Sequence, residues 1–246
     1  MLRADVLLVR PQVGQRIVAE GLGTALLACA VVGSGIMADR LSGGSAALSL
    51  LCNTIATGAA LVVLILTFGP VSGAHFNPAV TLADASQGGL RWREVPLYVG
   101  SQLLGAVAGV VLAHAMFALP LLQLSGHARS GLPQLLSECV ATFGLLAVIW
   151  GTSRRRAETV PFAVGLYITA AYWFTASTSF ANPAVTIGRA FTDTFTGIRG
   201  SDVPAFIAAQ LVGASAATAL FRWLVPSLPR HAADVVVPHR TSDSTR

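Results

Sequence analysis

Ser72-Gly73-Ala74-His75-Phe76-Asn77-Pro78-Ala79-Val80-Thr81 has a second copy in Ser179-Phe180-Ala181-Asn182-Pro183-Ala184-Val185-Thr186, and the two asparagines, 77 and 182, stand 105 positions apart. Five residues, Asn-Pro-Ala-Val-Thr, are identical in the two copies. Asn directly before Pro is a helix-start signal. The Asn side chain accepts from the first free backbone N–H groups, and Pro takes the first helical position, where no N–H is needed. Each copy follows a long apolar run and is trailed by about ten residues of helix-like sequence. The pattern predicts two short helices, over 78–87 and 183–192, in matching places of two halves.

The surroundings of these helices decide what they mean. The chain has 246 residues, of which 54% are hydrophobic and 11% charged, against about 25% charged in an ordinary soluble domain. Its mean hydropathy is +0.68. Six apolar runs, 17–38, 45–68, 95–119, 133–151, 160–181 and 203–225, are each long enough to cross a hydrocarbon core of about 30 Å. The chain therefore reads as an all-α membrane protein of six transmembrane helices plus two re-entrant half-helices. All sixteen basic residues are Arg. They flank the apolar spans, which argues for membrane orientation and against nucleic acid as a partner. With the N-terminus inside, twelve of them fall on the cytoplasmic side and four, Arg40, Arg129, Arg189 and Arg199, outside. The expected topology is a multi-pass protein of the plasma (inner) membrane with both termini cytoplasmic: a tail over 1–15, an outer loop over 120–132, and a polar, disordered tail over 226–246. Cys29, Cys52 and Cys139 lie in apolar runs and read as small buried hydrophobes.

The repeat extends beyond the paired motif. Glu20-Gly21-Leu22-Gly23-Thr24 answers Glu138-Cys139-Val140-Ala141-Thr142, and Gln102-Leu103-Leu104-Gly105-Ala106 answers Gln210-Leu211-Val212-Gly213-Ala214. The repeats occupy 16–119 and 133–225. Each has three spans, an odd number, so the second lies inverted relative to the first. A ten-residue helix is about 15 Å long, so each short helix reaches the midplane and brings its Asn-Pro end there. The segments leading to them, 69–76 and 177–181, are expected to be extended, with free carbonyls beside a cavity. Two helix N-termini and two Asn amides facing that cavity repel cations and donate to neutral solutes.

Two Asn-Pro-Ala boxes, the His-Phe-Asn-Pro-Ala-Val context, six spans and the Glu…Thr signatures resemble the aquaporin or major intrinsic protein family over roughly residues 15–225. The resemblance implies passive flow of small neutral solutes across the lipid bilayer, and a homotetramer with one pore per subunit. It implies a midplane built from Asn77, Pro78, Ala79, Asn182, Pro183 and Ala184. Counting from the two asparagines carries the family's outer filter onto Thr57, Ala170, Ser179 and Val185. Family members commonly have Arg at the position of Val185, and an aromatic and a His at those of Thr57 and Ala170. Loss of all three widens the constriction and implies passage of glycerol, urea or uncharged metalloids such as arsenous acid. The Val-Thr-Ile-Gly-Arg continuation is similar to the arsenite-permeable bacterial aquaglyceroporin-like branch.

Arg189 has two readings: a cation at the pore vestibule, or a side chain that reaches the outer surface or pairs with Asp193 at i,i+4. Glu20 and Glu138 are expected to anchor the re-entrant loops by accepting their N–H groups. A proton-coupling role for them is the other reading, and would make the chain an ion- or proton-coupled transporter with inverted repeats. No cofactor, metal site or catalytic constellation is expected.

Overall fold

The protein is described here by a computed structural model covering residues 11–153 and 157–225. The expected disorder of 226–246 and most of the expected N-terminal tail lie outside the described residues. Among these residues the fold is built from α1 (Val13–Leu41), α2 (Ala46–Ser72), α3 (Pro78–Gln87), α4 (Val95–Met116), α5 (Leu132–Ser153), α6 (Val160–Phe174), α7 (Pro183–Arg189) and α8 (Val203–Leu224). Five of the helices, α1, α2, α4, α5 and α8, are long and apolar enough to cross a membrane. α6, with 15 residues, spans about 22 Å and is shorter than the apolar run 160–181 that contains it.

Each departure from the expected boundaries has a local cause. α1 begins at Val13, inside the expected tail, because the Gln12 N–H donates to Gln15 Oε1 at 2.7 Å and closes the first turn. α2 runs on to Ser72 through Pro70, where an extended segment from 69 was expected. Pro70 removes one ladder bond, but Tyr98 Oη donates to the Ser72 carbonyl at 2.9 Å and the Ser72 hydroxyl is held by Glu20, so the last turn keeps its place. Gly73 at φ +92° then ends the helix. α6 stops at Phe174 because the next residues bond elsewhere: the Ala176 N–H donates to Ser137 Oγ at 3.0 Å and the Ala176 carbonyl accepts from Gln134 Nε2 at 3.0 Å. α7 ends at Arg189 rather than 192 because the loop between α4 and α5 claims the next carbonyls, with Ser125 N bonded to Ala190 O at 3.0 Å and Gln123 N to Phe191 O at 3.1 Å. Cys52 is exposed on α2 rather than buried.

The packing repeats in the two halves. α1 lies against α2 and α4, α5 against α6 and α8, and α2 meets α6 at the seam. Each short helix packs on the last helix of the opposite half, α3 on α8 and α7 on α4, and α3 and α7 touch. The α1–α4 and α5–α8 crossings are close because a Cβ at Gly105 would strike the Gly21 carbonyl, and one at Gly213 the Cys139 carbonyl. Small residues at such crossings let apolar helices approach backbone to backbone.

Candidate solute pore

The two loops that precede α3 and α7 are held by buried carboxylates. Glu20 accepts from Ser72 Oγ (2.7 Å), His75 N (2.9 Å), Phe76 N (2.7 Å) and Gln102 Nε2 (2.7 Å). Glu138 accepts from Ser177 Oγ (2.6 Å), Phe180 N (2.9 Å), Ala181 N (2.9 Å) and Gln210 Nε2 (2.6 Å). Both glutamates are fully buried. The loops adopt left-handed conformations at non-glycine residues: Ala74 and Phe76 in the first, Thr178, Ser179 and Ala181 in the second. Such residues cost roughly 1–3 kcal/mol each. The conformation turns neighbouring N–H groups to one side, a concavity that takes an anion, and the carboxylate is that anion. In each case the two oxygens are occupied by the loop and by the facing Gln, so four donors converge on one carboxylate.

The asparagines tie the loops to each other. Asn77 Oδ1 accepts from Ala79 N at 2.9 Å and caps α3, while its Nδ2 donates to the Ala181 carbonyl at 2.7 Å. Asn182 Oδ1 accepts from Ala184 N at 3.0 Å and Val185 N at 3.3 Å, and its Nδ2 donates to the Phe76 carbonyl at 2.8 Å. An amide NH2 has two hydrogens. One from each asparagine fixes the opposite loop, which leaves the other for the cavity that both side chains line.

That cavity, about 370 Å³, runs from Glu158 at the end where α1 begins and α8 finishes, past His75, Asn77 and Asn182, to Arg189 at the far end. Thr57, Ser179 and Val185 line it. Pro78, Ala79, Pro183 and Ala184 do not: they are buried behind the asparagines, where Ala184 packs with Ala28 and Ala106, and Ala79 joins the cluster around Val80 and Ala83. Proline opens each helix and alanine is small enough for the two helix starts to meet.

Ala170 is also absent from the lining. It is exposed on the outer face of α6, while Ile168 and Tyr172 face the cavity. Two residues along a helix are about 200° apart, so Ala170 points away from the face its neighbours share. Counting back from Asn182 crosses the non-helical stretch 175–181 and cannot fix the face of α6. The i,i+4 series Val164, Ile168, Tyr172 was the available signal. Tyr172 fills the gap across from Thr57, with Oη 3.3 Å from Thr57 Oγ1. Ala170→His is therefore expected to leave glycerol flow within about twofold of the parent, as for a surface substitution, in a proteoliposome swelling assay.

Arg189 neither reaches the surface nor pairs with Asp193. It is 2% exposed, its Nε donates to the Thr196 carbonyl, and its guanidinium carbon lies 3.3 Å from the Phe180 ring centroid. Asp193 instead lies 4.0 Å from His127 Nε2 and accepts from the Gly126 N–H. Sequence reasoning placed Arg129 only as an outer-loop charge. In the fold it reaches under the second re-entrant loop, donating to the carbonyls of Gly197 (2.8 Å) and Ser177 (3.2 Å), with its guanidinium carbon 5.0 Å from the same Phe180 ring. His75 is buried with Nδ1 3.1 Å from Thr81 Oγ1 and Nε2 3.6 Å from Asp84, contacts that pack the first loop.

Comparison with known proteins places this geometry. The chain matches the Major intrinsic protein family over residues 8–179 and 156–245. It is 59% identical over 216 residues to Aquaglyceroporin AqpS of Rhizobium meliloti (strain 1021), covering 87% of this chain and 92% of that protein. It is 35% identical over 189 residues to Aquaporin NIP1-3 of Oryza sativa subsp. japonica, covering 73% of this chain but 64% of that longer protein. The X-ray structure of the aquaglyceroporin from Plasmodium falciparum has the same fold, with a TM-score of 0.69 at 22% identity, over 88% of this chain and 99% of that one. The inverted halves, the paired Asn-Pro starts and these matches together make the chain a member of the major intrinsic protein family.

Proposed function

We propose that the cavity is the path of a passive channel for small neutral solutes wider than water, among them glycerol, urea and uncharged metalloid hydroxides such as arsenous acid. The observation that carries this reading is the composition of the wall beyond the asparagines. Val185 stands where a filter arginine is common in the family and lines the wall with Thr57, Ser179 and Tyr172, so Tyr172 is the one bulky side chain among these four and none of them is charged. Asn77 and Asn182 form the midplane barrier: their free amide hydrogens, at the N-termini of the short helices, favour an oxygen lone pair and disfavour a cation. The outer filter comprises Thr57, Tyr172, Ser179 and Val185, with Arg189 at the vestibule beyond it. The name of one relative, an aquaglyceroporin, supports glycerol among these solutes.

The majority of arginines on the side of the chain termini supports a cytoplasmic location for both ends and insertion in the plasma (inner) membrane. Family resemblance and the apolar outer faces of the helices support a homotetramer with a pore in each subunit. The test is a stopped-flow panel on proteoliposomes. Water, glycerol, urea and arsenous acid are expected to equilibrate faster than in empty vesicles, and no solute to accumulate against its gradient in an imposed proton gradient. Passage of water alone would refute the wide-pore reading, and concentrative uptake would replace the channel with a coupled transporter.

A further inference from the structure

We propose that the outer end of the cavity is a binding site for a small singly charged oxyanion, such as a carboxylate or sulfonate, with Arg189 as its cationic contact. The proposal rests on the reading of the cavity as the solute path. Four ion pairs occur among the described residues, Arg16–Glu94, His75–Asp84, His127–Asp193 and Arg199–Asp202. Neither Arg189 nor Arg129 belongs to one. Two buried acidic groups, Glu138 and Asp202, are already committed: Glu138 to its four donors, and Asp202 to the Arg199 guanidinium and the Arg129 backbone N–H. Two guanidiniums thus share the Phe180 ring with no carboxylate in ion-pair contact with either among the described residues, and Glu138 acts on them only through space. Buried charge without a counter-charge is expensive, and a guanidinium kept only for packing is ordinarily paired.

Arg189 is also built in rather than loosely placed. Its Nε is fixed to the Thr196 carbonyl. Phe180, its platform, is anchored through its own N–H to Glu138 at 2.9 Å and stands edge-on to Phe206 at a centroid distance of 5.3 Å. With Nε committed, the remaining N–H groups of the fork are the ones left for the cavity that Arg189 lines.

A second observation, independent of charge, points to an occupant. Ser179, next to Phe180 in the chain, lines the same cavity, is 2% exposed, and its hydroxyl has no hydrogen-bond partner. A planar cationic fork beside an orphan hydroxyl matches a group that offers two or more oxygens and one negative charge. The cavity's other lining charge, Glu158, lies at the opposite end. The pore is thus asymmetric: an oxyanion seats at the outer end and occupies the path of a neutral solute entering there.

Methanesulfonate is a suitable probe, since it stays singly charged and does not cross lipid as a neutral acid. Two measurements separate this proposal from the pore reading. The first is the thermal shift of purified protein with rising methanesulfonate at constant ionic strength, which reads binding whether or not the cavity conducts. The second is glycerol entry into proteoliposomes with methanesulfonate outside. Wild-type protein is expected to be stabilised and its glycerol entry slowed. Arg189→Met is expected to weaken binding by about tenfold or more, the worth of a hydrogen bond to a charged group. Phe180→Leu, which removes the platform and leaves the charge, is expected to weaken it as well, and stands in if Arg189→Met does not fold. Absence of stabilisation in wild type, equal stabilisation of wild type and whichever variant folds, or binding that leaves glycerol entry unchanged each overturn the proposal. Wild-type vesicles that pass no glycerol refute the pore reading instead, and the thermal shift then decides the anion site alone.

Discussion

Glu138→Ala is expected to lose about 3–5 kcal/mol of stability, as when one member of a buried charged network is removed, and with it measurable solute flow. The carboxylate holds Ser177, Phe180, Ala181 and Gln210 at once. Removing it leaves four buried donors unpaired and releases the left-handed backbone at Thr178, Ser179 and Ala181, which has no glycine to ease it. Glu138→Gln keeps the shape and one accepting oxygen, and is expected to lose a smaller part. Chemical unfolding in detergent, followed by circular dichroism, measures the difference. Glu20, with a matching set of four partners, is expected to behave alike. A Glu138→Ala protein that unfolds at the wild-type midpoint and still passes glycerol refutes the anchoring role.

Val185→Arg has the largest expected effect on selectivity. Val185 lines the same cavity as Thr57 and Ser179, so a guanidinium there enters the proposed solute path directly. Glycerol and urea flow are expected to fall by about tenfold or more, a barrier increase of roughly 1.4 kcal/mol or above, with a smaller fall for water. Val185→Leu narrows the same point without charge and separates width from electrostatics. Stopped-flow light scattering on matched vesicles reads both. Unchanged glycerol flow in Val185→Arg would place the constriction elsewhere.

Much of the fold was legible because its signals are local. Asn-Pro fixes where α3 and α7 begin, and the length of the apolar runs marks the five helices long enough to cross a membrane, whereas the run 160–181 outlasts the 15-residue α6. Helix ends were less legible where tertiary bonds decide them. α2 passes Pro70 because Tyr98 and Glu20, distant in sequence, hold its last turn. The conformations of Ala74, Phe76, Thr178, Ser179 and Ala181 contradict their own preferences, and only the carboxylate opposite explains them. The site shows the same division. Residues a fixed short distance from an asparagine within one element, Ser179 and Val185, are found in the cavity wall, and so is Thr57. Ala170, counted back across a non-helical stretch, was misplaced and Tyr172 missed. Arg189 kept two readings, a vestibule cation and a surface side chain, because no sequence rule reveals the aromatic ring beneath its guanidinium.

The crossed amides have a consequence for how the protein is made. Asn77 closes on the carbonyl of Ala181 and Asn182 on that of Phe76, so each half carries the key to the other's lock. The first half, threaded into the membrane during synthesis, has its carboxylate clamp complete but its asparagine hydrogen unmatched until the second half arrives. Loop anchoring is thus an affair of one half, whereas closure of the midplane needs residues of both. The latch therefore exists only where both halves are present together.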